Sequence, residues 1–147
     1  VWILLLATVA GCRSARGGQA AAGGLLVSHA VVPLPPSPVE GSAFLVVENR
    51  SATLNALTGS QSPLADSVVI HDVTGGRMTP VSRIEIPAHG RVALIPGSYH
   101  LMLGGVRRSL AIGDTVPILL RFASGEVITV GAPVLRYTDA VNDLPER

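Results

Sequence analysis

From Leu25 onward, apolar residues come in short runs bounded by Pro, Gly, Ser and Asn. Ala43 to Asn49 and Val68 to Val73 each predict a strand, and Val81 to Ile86 comes close to the period-two alternation of a strand with one buried face. Arg91 to Ile95 and Tyr99 to Leu103 add two more, each closed by a Gly-containing turn. Val116 to Phe122 and Glu126 to Val130 flank Ala123-Ser124-Gly125, a hairpin signal. Pro33, Pro35, Pro36 and Pro38 predict a rigid extended loop or edge, because proline cannot donate to a sheet ladder. Leu54 to Ser67 is small and polar, a loop or weak strand. About eight or nine strand candidates and no helical periodicity predict an all-β fold, an antiparallel β-sandwich or Greek-key barrel.

Composition narrows the picture. The chain has 147 residues, 48% of them apolar but only 3% aromatic, so the core is built from Val, Leu, Ile and Ala. A domain of this length buries about two thirds of its unfolded surface and folds without disulfides. A net charge of +1, with 14% charged residues, provides no basic field for nucleic acid and no acidic tail.

The first ten residues, VWILLLATVA, are too few to span a bilayer but have the length of a signal-peptide hydrophobic region. They lead into Gly11 and the single cysteine, Cys12. Small residues before a cysteine resemble the lipobox of bacterial lipoproteins. Residues 1–11 are then a signal peptide, Cys12 is the lipidation site, and the protein is a membrane-anchored lipoprotein of the bacterial cell envelope, facing the periplasm. Residues 12–24, rich in Gly and Ala, predict a flexible tether. The folded domain is assigned to residues 25–137, and the polar stretch 138–147 to a loose tail.

Candidate chemistry concentrates in four side chains. In a strand, alternate residues share a face, so His100 and Met102 project together, about 7 Å apart. A thioether is a soft neutral ligand that favours copper(I), whereas zinc takes thiolate, imidazole or carboxylate. The only other methionine, Met78, follows a Gly-Gly-Arg turn, and His71 lies near the end of the strand before it. His29 and His89 have no such company and are expected at the surface.

The spacing of this set is distinctive: His71, Met78, 21 intervening residues, then His100-x-Met102. It resembles the motif of the periplasmic copper chaperones called PCu(A)C. Ile84-Glu85-Ile86-Pro87-Ala88-His89-Gly90 is similar to the family's IEIPAGG segment, and Pro96 to Leu103 to its PGGYHLML. Leu110 to Leu120 looks like its L..GD.VPLTL, and Ala43 to Asn49 its early A.Y....N strand, with Phe44 where tyrosine is common. The resemblance spans roughly Val27 to Val134.

It implies a cupredoxin-like β-sandwich that binds copper(I) at an exposed site and hands it on. The implied ligands are His71, Met78, His100 and Met102. The implied partners are copper acceptors, such as cytochrome c oxidase subunit II with its CuA centre or a Sco-type protein. Asp72 stands where members often carry a second Met, and the interval from His71 to Met78 is shorter than usual. The Met- and His-rich tail some members use for copper(II) is absent, which implies one ion per chain; a monomer is expected.

Other function classes fit less well. An electron-transfer cupredoxin needs a His₂Cys set, and the folded domain has no cysteine. No nucleophile–base pair, paired carboxylates or phosphate loop points to an enzyme. A lipid-anchored adaptor, or a copper buffer without a dedicated acceptor, is the remaining alternative.

Overall fold

The computed structural model describes residues 16–146. The signal-peptide segment and Cys12 lie outside these residues. Eleven strands follow in chain order: β1 (Gly18–Ala22), β2 (Leu25–Pro33), β3 (Glu40–Asn49), β4 (Asn55–Gln61), β5 (Ala65–Thr74), β6 (Arg77–Pro80), β7 (Ile84–Ile86), β8 (Arg91–Leu94), β9 (His100–Val106), β10 (Thr115–Phe122) and β11 (Val127–Leu135). One helix, α1 (Tyr137–Asp143), closes the sequence of elements.

Neighbouring strands run β1-β2-β11-β10-β4-β5-β9-β3-β8, and β2 also pairs with β3, so the sheet curls back on itself. Two seams are thin. β4 meets β5 at Ser60 and Val68, and β2 meets β11 in parallel through only two pairs. The result is a flattened barrel, in effect a sandwich with β3 at the corner. Its first half pairs with β9 and its second half with β8. The all-β cupredoxin-like architecture expected from the strand count and the family resemblance is therefore present.

Alternation explains the core. β10 buries Val116, Ile118, Leu120 and Phe122, and β11 buries Ile128, Val130, Ala132 and Val134, with the intervening residues more exposed. These pack against Leu45, Val47, Ile70, Leu101 and Leu103 from the other layer. At the turn that ends β3, buried Asn49 donates to the Thr53 and Ile86 carbonyls at 2.8 and 3.2 Å. Its Oδ1 accepts from the Ser51 backbone N–H and hydroxyl.

The structure departs from the sequence reading at three places. Residues 55–61, read as a loop or weak strand, form β4 between β10 and β5. Its small polar residues are tolerated because Ser60 donates to the Val68 carbonyl at 3.0 Å. The stretch read as a tether contains β1, which pairs with β2. The stretch read as a loose tail contains most of α1, whose Ala140 packs with Val31 and Phe44 in a second small apolar cluster, flanked by Leu135 and Leu144. Seven residues are too few for an amphipathic pattern to register. The telling signal lies in β3, where Ala43 to Val47 are all buried. An unbroken buried run means that both faces are covered, and α1 covers the second.

Candidate metal centre

β5, β6 and β9 form a continuous antiparallel ladder whose register decides what can converge. His71 pairs directly with His100, Val69 with Met102, and Val73 with Met78. Paired residues point to the same side of a sheet, and residues two apart on one strand do likewise. His71, Met78, His100 and Met102 therefore all project from one face. That face is the outer one, since the alternate residues Ile70, Leu101 and Leu103 point into the main core.

The short interval between His71 and Met78 alters only the turn. Gly75 and Gly76 both adopt positive φ, 58° and 74°, and close a tight hairpin. Met78 is thereby kept on the His71 face. A turn one residue longer or shorter on this ladder would send the thioether to the opposite side.

The two imidazoles meet edge to face, with centroids 5.6 Å apart and planes at 88°. His100 is 5% exposed. Its Nδ1 lies 3.0 Å from the Ser98 carbonyl oxygen. A carbonyl can only accept, so Nδ1 carries the hydrogen and Nε2 keeps its lone pair for a ligand. Phe44 of β3 packs beside the ring, at a centroid distance of 6.4 Å. His71 is half-buried, and its Nδ1 is buried without a hydrogen-bond partner. Burial lowers the His71 pKa from its ordinary value, and the neighbouring His100 charge lowers it further, so the neutral ring is favoured.

The methionines flank this pair from opposite ends. Taking about 3.3 Å per residue along a strand, Met102 lies some 7 Å from the His level in one direction and Met78 a similar distance in the other. Met102 is half-buried against β3, whereas Met78 is 60% exposed on an edge strand. The result is a compact His71–His100–Met102 group with Met78 as an outer arm.

Asp72 alternates to the opposite face from His71. Its Oδ1 accepts from the Val73 N–H at 2.7 Å, and its Oδ2 accepts from the Thr74 hydroxyl at 3.3 Å. It shapes the hairpin from the face opposite the imidazole pair. Among the described residues, no cluster of three or more His, Cys, Asp or Glu side chains could hold an ion. Any metal bound here would rely on the thioethers. Two imidazoles and two thioethers are neutral, soft-to-borderline donors, and the orphaned His71 Nδ1 is a buried polar atom in want of a partner. The set fits copper(I).

Sequence reasoning missed Ser98 and Phe44, which orient and cover His100. Ser98 carried no sequence signal. Phe44 did, within the apolar run of β3. His89, expected at the surface, is exposed. His29, also expected there, instead sits in a β2 bulge at φ 53° with Nδ1 3.4 Å from an Asp143 carboxylate oxygen of α1.

This flattened barrel, with paired His and Met on one outer face, has the fold of solved PCuAC domains. The copper-bound PCuAC domain from PmoF2 superposes with a TM-score of 0.71 at 22% identity, covering 80% of this chain and 97% of that domain. The copper(I)-bound DR1885 of Deinococcus radiodurans gives a TM-score of 0.63 at 33% identity, over 74% of this chain and 76% of that one. Residues 25–134 match the family described as "Putative lipoprotein LpqE-like", and the chain belongs to that LpqE-like family. A relative from Leifsonia xyli subsp. xyli, named "Putative lipoprotein Lxx21020", is 32% identical over 124 residues, covering 81% of this chain and 74% of its own length.

Proposed function

We propose that this chain is an extracytoplasmic copper(I) metallochaperone that holds one ion through His71, Met78, His100 and Met102. The observation that carries the reading is the ladder register, which gathers both histidines and both methionines of the domain's motif on one sheet face. The work is binding and transfer, not catalysis. Copper(I) arrives and leaves in the same oxidation state, so no electron donor is required. The neutral ligand set leaves the ion its full positive charge, which an acceptor's thiolate can compete for.

The proposed destination is the CuA-type centre of a respiratory oxidase, reached directly or through a Sco-type protein. The family's lipoprotein description supports Cys12 as the lipid attachment point, and on this reading the domain is anchored in the cell envelope, facing the periplasm. Copper-loaded relatives of the same fold support the cargo.

Anaerobic competition titration with a copper(I) chelator tests the ligand set. The expected result is one ion per chain and a large affinity loss when Met78 and Met102 are both replaced by Leu. Unchanged affinity in that double variant would sink the proposal. Loss of copper from the loaded chain to an apo CuA domain, but not to a cysteine-free version of it, tests the destination.

A further inference from the structure

The N-terminal end of the described chain is fastened to α1. Asp143 accepts from the backbone N–H groups of Arg16 and Gly17 at 2.7 and 2.9 Å, and the Arg16 guanidinium reaches Asp139 at 3.0 Å. The fit is close. A Cβ at Gly17 would lie 2.7 Å from the Asp143 carboxylate and from the His29 backbone, and β1 continues from there into the sheet.

This shortens the leash. From Cys12 to Arg16 there are four residue steps, a span of at most about 14 Å. Had residues 12–24 been free, as the sequence suggested, the reach would be about 45 Å. α1 in turn packs through Ala140 on Phe44, the ring that lies beside His100. The leash therefore leaves the domain on the same side as the metal centre.

We propose that this clamp orients the domain, holding its α1 side against a phospholipid bilayer so that the His/Met face is presented close to the membrane surface. The inference rests on lipidation of Cys12. The surface suits the position. Tyr137 and Leu34 are 58% and 40% exposed and line one cleft of about 240 Å³ that also reaches Met102. Tyrosine is at home at a bilayer interface, and the exposed Arg136 matches anionic headgroups. The opposite end of the barrel, at the turn between β10 and β11, lies about 30 Å away along β11. An acceptor embedded in the same membrane then needs no long excursion of the donor.

The full lipidated chain in phosphatidylethanolamine–phosphatidylglycerol vesicles provides the test. With Cys12 acylated, nitroxide labels attach only at an introduced Thr138→Cys or Ala123→Cys. A nickel-chelating lipid is the relaxation probe. The expected result is several-fold stronger relaxation at position 138 than at 123. Inserting twelve Gly/Ser residues between Cys12 and Arg13, which leaves the fold untouched, is expected to abolish most of that contrast. Asp139→Asn with Asp143→Asn is expected to reduce it by freeing β1. Equal relaxation at the two positions, or a contrast that survives the insertion, overturns the proposal. Intact mass is read first. A chain without the diacylglyceryl increment overturns the anchor reading and this inference together, whereas a lipidated chain with no contrast overturns this inference alone.

Discussion

The two halves of the proposed metal centre are built from the same residue types and differ in how tightly the fold grips them. His100-Leu101-Met102 lies on β9, which is paired on both sides, with β3 and β5. His100 is fixed by Ser98, covered by Phe44 and 5% exposed. Met78 lies on β6, a four-residue strand paired with β5, on which every residue is exposed. One half is preorganised and the other is free to sample rotamers. A preorganised donor gains affinity because it loses little entropy on binding, and a mobile donor on the rim is the natural one to yield to an incoming ligand. Retention and release can thus reside in different strands of a single site.

The largest break in this comparison is expected from His100→Ala. Loss of even an outer partner of a metal ligand commonly costs about 10–100-fold in affinity, and removing the best-held ligand should exceed that range. The expected outcome is more than about 100-fold weaker copper(I) binding in an anaerobic chelator competition. Met102→Leu keeps the volume and removes only the thioether, so packing against β3 survives. It should weaken binding by about 10–100-fold with little change in thermal midpoint. A midpoint that falls as far as the affinity would show that Met102 serves the core and not the ion.

Most of the tight half was legible in the sequence. Strand alternation alone places His100 with Met102. The loose half was harder, because its position depends on a register that only a folded hairpin reveals. The Gly75-Gly76 turn fixes that register, and the motif spacing hinted at the outcome without the geometry. Ser98 and α1 were beyond reach for physical reasons. Ser98 acts through its backbone carbonyl, which every residue type shares. α1 is held by contacts more than a hundred residues away in sequence, from Asp143 to Arg16 and Gly17, and no local pattern encodes these. The buried run in β3 was visible as apolar sequence, yet what covers its second face could not be read from β3 itself.

Met78→Leu sharpens the comparison at the loose end. The prediction is a modest affinity loss, within about tenfold or 1.4 kcal/mol, because an exposed and mobile donor contributes less net free energy than a fixed one. The off-rate to an acceptor thiolate should change more than the equilibrium constant does. Stopped-flow transfer to a thiol acceptor, run beside the equilibrium titration, separates the two. A loss in Met78→Leu as large as in Met102→Leu would erase the distinction between the arms.

The smallest effect is expected from acid on the metal-free protein. The folded state holds the His71 pKa below 6.5, mainly through burial and secondarily through the His100 charge. The unfolded chain therefore takes up a proton at His71 before the folded chain does. Stability from this group is fully present above about pH 6.5 and is lost as pH falls from there through the lowered folded value. His71→Gln should remove that contribution, so its urea midpoint should fall less than that of the parent chain between pH 7.5 and 5. Parallel declines would mean that the ring is as free in the folded chain as in the unfolded one. The same burial that resists the proton keeps the His71 nitrogen lone pair available to a metal ion in mildly acidic surroundings, whereas the exposed Met78 thioether does not titrate and is indifferent to pH.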